Sequence, residues 1–417
     1  MTKPFDWQSF IDDNRPSNHP TASQLQKERQ VLFDTRLLPA LQTWAMQYRI
    51  STIWGSENTT FQKRLDNCAL AGATFTLDPS NYSLSWHFAS IALWLFALDY
   101  YLDYVVVGYL SQQDWPLETK IAYLDDKLAI ISSPLYTFGQ LTSLDACIAE
   151  LNADGVSART LARDCATQEA GVRIPQSTES SSASILQEAL NDILHSLFQS
   201  LWAFQMMKMN SMATTIAGDV QNGLSDSLQT QVVDTFALTT ATHEIAIVMG
   251  AMRGEVIACF HFHLQQRQPD LETYLAQSMY SMSLRCVASL PLAFEAANRE
   301  VWAEWEAATY AGLKVMRLVN DCANILREMA EVKPNSVTIS LELLGHAIDP
   351  QYTLTSPPLQ EAIDSVRNRL NMELVCFNML IPIDPHEHTA LTPLGYSILS
   401  CVALVLVLYQ HGDFEFV

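Results

Sequence analysis

The sequence contains few basic residues. Its 417 residues include 24 Lys and Arg against 45 Asp and Glu, which gives a formal net charge of -21. No continuous basic run occurs, so the chain lacks the patch that binding to nucleic acid or to an acidic membrane surface requires. We therefore predict neither partner. A small anionic substrate stays compatible with this composition if metal ions or a few Arg side chains reverse the local charge.

Paired cysteine motifs are also absent. The eight Cys occur singly, without any Cys-x-x-Cys pair, so neither a disulfide framework nor a structural zinc site is predicted. The sequence contains no Gly-x-Ser-x-Gly motif, no P-loop and no dinucleotide-binding fingerprint. These absences exclude several common classes of enzyme.

Long membrane-type and signal-type apolar segments are lacking as well. The first 16 residues, MTKPFDWQSFIDDNRP, are polar, so we expect no secretory signal. The apolar stretches Ala89 to Leu98 and Leu394 to Leu408 are shorter than the ~20 residues that a span needs. We predict that both are core helices of a cytoplasmic protein without a membrane span.

Apolar residues make up 49% of the chain, and they recur with helical spacing rather than the alternation of strands. This pattern predicts an all-α, single-domain helical bundle. The predicted helices are Leu25 to Tyr48, Leu84 to Leu110, Ala183 to Asn210, Gln231 to Gln266, Leu271 to Phe294, Ala297 to Glu331, Pro358 to Phe377 and Pro393 to Tyr409. Helix breakers are expected at Pro79, Pro134, Pro269, Pro334 and Pro382 to Pro385.

Two segments are expected within this single domain. Residues 1–80 are predicted to form an N-terminal helical segment packed on the core, and residues 81–417 the main α-domain. Gly, Pro and a Ser-rich run predict a flexible surface insertion near residues 152–184.

The first candidate site lies at the end of the apolar helix that begins near Leu84. Asp99 and Asp103 are four residues apart, which places both carboxylates on one helical face. Apolar residues precede Asp99, so we expect burial, where like charges repel and desolvation adds to the cost. A divalent cation would relieve this repulsion. A solvated helix end is the alternative that this pair alone leaves open.

The second candidate site is the segment from Arg317 to Glu328. Asn320, Asn324 and Glu328 are spaced i, i+4 and i+8, so their oxygens line one helical face. Mg²⁺ binds a few protein oxygens and completes its octahedron with water and phosphate. Arg317 and Arg327 flank this set and can contact phosphate oxygens. The surrounding apolar residues favour a metal site over a polar surface stripe.

These two segments resemble the pair of metal-binding motifs of class I terpene synthases, an all-α family that ionises isoprenoid diphosphates. The segment Asp99 to Asp103 is similar to the family's Asp-rich motif, with Tyr100 where a second Asp is usual. The segment Asn320 to Glu328 is similar to the (N/D)DxxSxxxE motif, with Asn324 in place of Ser or Thr. The resemblance covers roughly residues 80–417 by motif order and spacing.

Other segments agree with this resemblance. Pro269 to Leu275 is similar to a helix start of the family, and Asn335 to Ile339 to the segment that follows the second motif. Tyr409 to Asp413 is similar to the closing element that folds over the diphosphate. In the family, the helix after Tyr274 often carries an Arg that senses diphosphate, and Ser278 stands near that place. Arg253 and Arg285 are alternatives for that role.

The resemblance also assigns roles to particular residues. Those implied to bind Mg²⁺, three ions in the family, are Asp99, Asp103, Asn320, Asn324 and Glu328. Those implied to contact diphosphate are Arg317, Arg327 and Tyr409. Asp99, Asn320 and Glu328 are the implied catalytic residues. The carbocation needs a dry aromatic cavity, and the candidate wall residues, for which ordinary core packing is the alternative, are Trp86, Phe88, Trp94, Phe96 and Tyr100.

The function predicted from these motifs is that of a Mg²⁺-dependent terpene synthase, a carbon–oxygen lyase. It would ionise an allylic prenyl diphosphate, C20 from the chain length, and release diphosphate. The carbocation would then be cyclised and quenched by water or deprotonation. A chain-elongating prenyltransferase is disfavoured because it needs two full Asp-rich motifs.

Two alternatives stay open. The first is a diterpene synthase of the kolavelool synthase type, which acts on a pre-cyclised labdane or clerodane diphosphate and gives an alcohol. The second, from another class, is a non-catalytic helical isoprenoid-binding protein. The resemblance also implies a homodimer, which is frequent in the family.

Overall fold

The computed structural model describes residues 22–55, 58–75, 81–139, 179–219, 236–265, 268–295, 299–381, 395 and 398–403. Helices make up the regular structure of these residues, and no β-strand occurs among them. They pack as a helical bundle with an internal cavity, so the predicted all-α fold class is confirmed.

The α-helices are α1 (Ala22–Leu32), α2 (Leu38–Gln47), α3 (Asn58–Phe75), α4 (Tyr82–Tyr100), α5 (Val107–Ser111), α6 (Leu117–Gly139), α7 (Glu179–Asp219), α8 (Phe236–Gln265), α9 (Leu271–Ser278), α10 (Leu284–Glu295), α11 (Arg299–Ala330), α12 (Ser336–Leu343) and α13 (Pro357–Leu380). The shorter segments between them are the π-helices Phe33–Leu37 and Tyr101–Val106 and the 3₁₀ helices Ile50–Trp54 and Met279–Met282.

Side-chain caps fix the starts of three helices that carry or support the site. Asn81 Oδ1 accepts a hydrogen bond from the Leu84 amide at the start of α4, at 3.2 Å. Asp270 caps α9 in the same way, and Asn335 begins α12 with a capping box. Each cap satisfies amide groups that the first helical turn leaves without a partner.

The predicted helices agree with the described ones in their main positions, with three differences. The prediction omitted α3, α6 and α12. The prediction that Pro134 breaks a helix is wrong, because α6 continues through this residue to Gly139. Pro134 is buried in the bundle. The predicted helix from Leu271 to Phe294 is divided into α9 and α10 by a 3₁₀ turn and by Ser283, whose φ is 57°.

The helices before residue 80 share their core with the rest of the bundle. One apolar cluster contains Leu37 and Leu65 from this segment together with Trp94, Leu194 and Trp305. Helix α3 lies directly against α4. A second cluster joins α9, α11, α12 and α13. The segment 22–75 is thus integrated with the helices that follow it.

Several predictions fall partly or wholly on residues outside the described ranges. Of the flexible insertion predicted near 152–184, residues 152–178 lie outside them, whereas residues 179–184 belong to α7. Residues 1–21, the predicted breakers Pro79 and Pro382 to Pro385, and the segment Tyr409 to Asp413 also lie outside the described residues. Of the predicted helix Pro393 to Tyr409, only residues 395 and 398–403 are described.

Within the described ranges, two helical stretches are long and apolar enough to cross a membrane by length and composition. They are Tyr82–Ser111 and Thr240–His263, and 50% and 44% of their most apolar windows are buried inside the bundle. Buried core helices of soluble proteins share these properties, so both stretches are compatible with a soluble protein. A cytoplasmic location stays a prediction.

Candidate active site

The two sequence motifs line one cavity, although more than 200 residues separate them in the chain. The cavity has a volume of about 210 Å³ and lies between α3, α4, α8, α9, α10 and α11. Every described residue that was predicted to bind metal or diphosphate lines it. These residues are Asp99, Asp103, Arg317, Asn320, Asn324, Arg327 and Glu328.

The first motif lies where α4 changes into a π-helix. Asp99 belongs to the last turn of α4, and Asp103 belongs to the π-helix Tyr101–Val106. Burial raises the pKa of Asp99 to about 6, and repulsion from Asp103 adds to the shift. The charges of Lys333, Arg327 and Arg64 lower this pKa, but by less than burial and Asp103 together raise it.

Lys333 contributes a positive charge to the first motif. Its Nζ lies 2.6 Å from Asp103 Oδ2 and 3.0 Å from Glu331 Oε2. Burial opposes the charge on Lys333, but Asp103 and Glu331 outweigh it and keep the lysine pKa well above its ordinary value. The left-handed backbone of Val332, with φ of 57°, turns the chain after α11 and precedes this lysine.

The second motif occupies the C-terminal part of α11. Asn324 Nδ2 donates a hydrogen bond to Asn320 Oδ1 at 2.9 Å, so these two amides are neighbours on one face, as predicted from their spacing. Glu328 is buried one turn further along. Burial raises its pKa, and the nearby Asp321 carboxylate raises it further against the opposing charges of Arg317 and Arg327.

Asn335 ties the second motif to the start of α12. Its Nδ2 lies 2.6 Å from Glu328 Oε2 and 3.0 Å from the carbonyl oxygen of Asp321, and its Oδ1 accepts from the Val337 amide. The Asp321 carboxylate, fully buried, accepts from the Ser336 amide at 3.0 Å. Asp321 therefore stabilises the helix junction, and Asn335 orients Glu328 in the cavity wall.

Arg317 lines the cavity with its guanidinium held by protein groups. Nη1 donates to Glu255 Oε1 at 2.7 Å, and Nε lies 2.9 Å from both Asp321 Oδ1 and the Tyr274 hydroxyl. Nη2 also donates to that hydroxyl. The two carboxylates largely neutralise this arginine, so it differs from the freely available phosphate ligand that the sequence suggested. The contact between Arg317 and diphosphate stays a prediction.

Arg327 is the second predicted diphosphate ligand. Its Nη2 lies 3.2 Å from Glu328 Oε1, and its Nε lies 3.8 Å from Glu331 Oε1. The side chain lines the cavity beside the second motif.

Sequence reasoning missed Arg64, Glu255 and Lys333. Arg64 reaches the cavity from α3, with its guanidinium carbon 4.8 Å from the ring centre of Phe96, and its charge lowers the pKa of Asp99 against the larger effect of burial. Burial raises the pKa of Glu255, on α8, to about 7. None of the three belongs to a spaced motif, so no local pattern marked them.

The aromatic residues near the first motif divide between the cavity and the core. Phe88 and Phe96, two of the five predicted wall residues, line the cavity. Trp94 and Trp86 do not, because they lie on other faces of α4. The Trp94 indole donates to the Leu186 carbonyl at 2.8 Å, and Trp86 packs edge-on against Trp44. Tyr100, the fifth predicted wall residue, also lies elsewhere.

Tyr100 packs with other aromatic rings instead. Its ring is stacked on Tyr104, with ring centres 4.7 Å apart, and it lies 5.4 Å from the ring of Trp54. The residue that stands where the family has a second Asp thus has a packing role.

The two arginines considered as substitutes for a diphosphate sensor do not line the cavity. Arg253 pairs with Asp125, with Nη2 at 2.9 Å from Oδ2. Arg285 is held by Glu244, at 2.7 Å from Nη2 to Oε1. Ser278, which the resemblance places near the sensor position, does line the cavity.

The oxygen-rich wall suits a hard divalent cation. Among the described residues, no three His, Cys, Asp or Glu side chains are grouped in a metal-binding arrangement. The candidate ligands instead mix carboxylates with the amide oxygens of Asn320 and Asn324, which Mg²⁺ accepts. The raised pKa of Asp99 indicates carboxylates that a cation would stabilise. These residues therefore fit Mg²⁺ chemically.

Comparisons with known proteins support the fold. No family model matches the chain, and no curated protein matches its sequence. Among solved structures, it is similar to a point mutant of the SVS_A2 protein from ancestral sequence reconstruction. The TM-score is 0.52, with 92% of this chain and 87% of that chain covered at 13% identity. At this identity the similarity concerns the all-α fold alone.

Proposed function

We propose that this protein is a Mg²⁺-dependent terpene synthase that ionises an allylic prenyl diphosphate, with C20 as the favoured chain length. The observation that carries the proposal is the meeting of both motifs, Asp99 to Asp103 and Asn320 to Glu328, on the wall of one cavity. In the reaction, the allylic C–O bond breaks and both electrons leave with the diphosphate oxygen.

The residues of the two motifs would bind the metal ions for this step. Asp99 and Asp103 on one side and Asn320, Asn324 and Glu328 on the other would hold the metal. Bound Mg²⁺ would supply neutralisation of the charge that develops on the diphosphate oxygens.

Cations and apolar groups of the wall complete the site. Arg64, Arg327 and Lys333 add positive charge around the leaving group. Phe88 and Phe96, with the neighbouring apolar wall, would exclude water and stabilise the carbocation through their ring faces.

Two observations favour related candidates. Ser278 in place of a sensor Arg suits a pre-cyclised bicyclic C20 diphosphate of the labdane or clerodane type, whose ionisation needs no folding of a linear chain. The Asp103–Lys333 pair and the neutralised Arg317 favour an isoprenoid-binding protein without catalysis, because they reduce the charge available to metal and diphosphate.

The test is incubation with Mg²⁺ and linear C10, C15 and C20 diphosphates and bicyclic C20 diphosphates. Diphosphate release and products by mass spectrometry are measured. We expect turnover with at least one C20 substrate, reduced by about 100-fold or more in Asp99→Asn and Asn320→Ala. Asp125→Asn is the control, because Asp125 pairs with Arg253 away from the cavity.

Three outcomes separate the candidates. Saturable binding of these diphosphates without release would support the binding protein. Release from bicyclic substrates alone would select the pre-cyclised class. Full activity in both Asp99→Asn and Asn320→Ala would refute the assignment of the site.

A further inference from the structure

The break between α9 and α10 brings serine hydroxyls to the cavity wall. Helix α9 ends at Ser278, a 3₁₀ turn covers Met279–Met282, and Ser283 is left-handed with φ of 57°. Ser278, Ser281 and Ser283 all line the cavity. In a continuous helix Ser278 and Ser281 would share one face, but Ser283, five residues after Ser278, would lie on another.

Ser278 presents an unsatisfied hydroxyl at this break. Its side chain is 2% exposed, and its Oγ has no hydrogen-bond partner among the described residues. A buried hydroxyl normally finds a partner, so an orphan in a cavity wall points to a ligand that carries a donor or an acceptor. A water molecule or a substrate hydroxyl has that chemistry.

Ser281 connects this position to Glu255. The Ser281 Oγ lies 2.7 Å from the carbonyl oxygen of Ser278 and 2.9 Å from Glu255 Oε1. Arg317 also donates to Oε1, so both hydrogen bonds of the carboxylate use the same oxygen. No hydrogen bond to Glu255 Oε2 occurs in the described part of the chain, and Glu255 lines the cavity. Oε2 is thus the oxygen available for proton transfer.

We propose that Ser278 and Glu255 bind a water molecule at the cavity wall and that Glu255 accepts its proton when the water attacks the carbocation. This inference rests on the proposed function, which supplies the cation. The water oxygen forms the new C–O bond with its lone pair, and one proton moves to Glu255 Oε2. Cation, water and carboxylate thus become alcohol and carboxylic acid. The product is a terpene alcohol.

The environment of Glu255 suits a proton acceptor. Burial raises its pKa to about 7 against the opposing charge of Arg317, and Asp99 and Asp103 raise it further. A carboxylate with this pKa is partly ionised at neutral pH, more basic than a solvated one, and able to return the proton to solvent after each turnover. Arg317 and Ser281 hold it in place.

The same helix provides a matched control. Glu244 on α8 pairs with Arg285 at 2.7 Å, as Glu255 pairs with Arg317 at 2.7 Å, but Glu244 does not line the cavity. Glu244→Gln therefore removes an arginine-paired carboxylate from the same helix without altering the water site.

The experiment measures the ratio of alcohol to olefin products in H₂¹⁸O for the full-length wild type, Glu255→Gln, Ser278→Ala and Glu244→Gln. We expect ¹⁸O-labelled alcohol from the wild type and an alcohol-to-olefin ratio at least about 10-fold lower in Glu255→Gln, as expected for losing a general base. Ser278→Ala, which keeps the Glu255–Arg317 pair, should lower the ratio as well. Glu244→Gln should keep the wild-type ratio.

The outcomes distinguish this inference from the function on which it rests. Diphosphate release with olefins alone, or an unchanged ratio in both Glu255→Gln and Ser278→Ala, would overturn the water site and leave the synthase proposal standing. No diphosphate release from any substrate would overturn the proposed function and the water site with it. Circular dichroism of each variant checks that its helices are intact.

Discussion

Several charged residues of the cavity are paired with opposite charges, which the motifs alone do not indicate. Asp103 is one of the two predicted aspartate ligands, yet its nearest cation is the Lys333 ammonium at 2.6 Å. Arg317 is a predicted phosphate ligand, yet Glu255 and Asp321 neutralise it. Both pairs keep buried charges from standing alone, which would cost several kcal/mol each.

Removing the Lys333 charge should make the fold more dependent on metal. In Lys333→Met, the carboxylates of Asp103, Asp99 and Glu331 lose their shared cation. We expect the free energy of unfolding in EDTA to fall by about 2–4 kcal/mol and Mg²⁺ to raise the melting temperature more than in the wild type. Thermal melts with EDTA and with Mg²⁺ measure both effects.

Lys314→Met is the control for this prediction. Lys314 forms a looser pair with Glu373, at 3.9 Å and away from the cavity. Its substitution should leave the response to Mg²⁺ unchanged. An equal Mg²⁺ response in Lys333→Met and the wild type would contradict a metal site beside Asp103.

At the scale of helices, spacing predicted which residues share a face but not which faces meet. The i, i+4, i+8 pattern correctly placed Asn320 and Asn324 side by side on α11. The apolar spacing from Leu271 to Phe294 is typical of one helix. The helix nevertheless breaks between Ser278 and Ser283, and this break depends on tertiary contacts such as the one between Ser281 and Glu255. Local patterns contain no information about such contacts.

Close packing of α3 on α4 is what brings Arg64 to the cavity. A Cβ added at Gly72 would lie 2.6 Å from the carbonyl oxygen of Ser85 and 3.0 Å from the Ala89 Cβ. The first of these atoms is backbone, so a larger residue must push the two helices apart. Gly72 is therefore required by this contact rather than by its backbone conformation.

Two glycine substitutions should have opposite effects on stability. Gly72→Ala should lower the free energy of unfolding by about 1–3 kcal/mol, because it separates α3 from α4. Gly250→Ala should raise it by about 0.5–1 kcal/mol, because nothing lies near that exposed helical position and alanine favours helix. Urea denaturation measures both. A stabilised Gly72→Ala variant would contradict the described contact.

For the whole molecule, the net charge of -21 does not describe the cavity. Its wall contains four acidic residues, Asp99, Asp103, Glu255 and Glu328, and four basic ones, Arg64, Arg317, Arg327 and Lys333. The wall thus contains equal numbers of acidic and basic side chains before any metal binds, and divalent cations would add positive charge. An acidic protein can in this way accept an anionic substrate while its outer surface repels polyanions.

The stability of the whole bundle should also depend on pH through one buried histidine. Burial lowers the pKa of His87 to about 3, from an ordinary value of 6.5. The unfolded chain therefore binds a proton below pH 6.5 that the folded chain rejects, and stability is lost as the pH falls from 6.5 towards 3. At pH 4 this contribution amounts to roughly 3 kcal/mol.

The measurement is urea unfolding of the wild type and His87→Gln between pH 7 and pH 4. The wild type should lose roughly 3 kcal/mol more than the variant over this range. Asp99 and Glu255, whose pKa values are raised, contribute in the opposite direction in both proteins, so they cancel in the comparison. His263→Gln, at an exposed position, should follow the wild type. Parallel pH profiles for the wild type and His87→Gln would contradict the prediction.

The sequence by itself determined the all-α class, most helix positions and the seven described motif residues that line the cavity. These features follow from periodicity and spacing within single helices. Only the tertiary structure decided that Arg64, Glu255 and Lys333 join the motif residues and that Trp94 packs in the core. The reason is physical: helical spacing fixes neighbours along one helix, whereas the neighbours across the cavity depend on how distant helices pack.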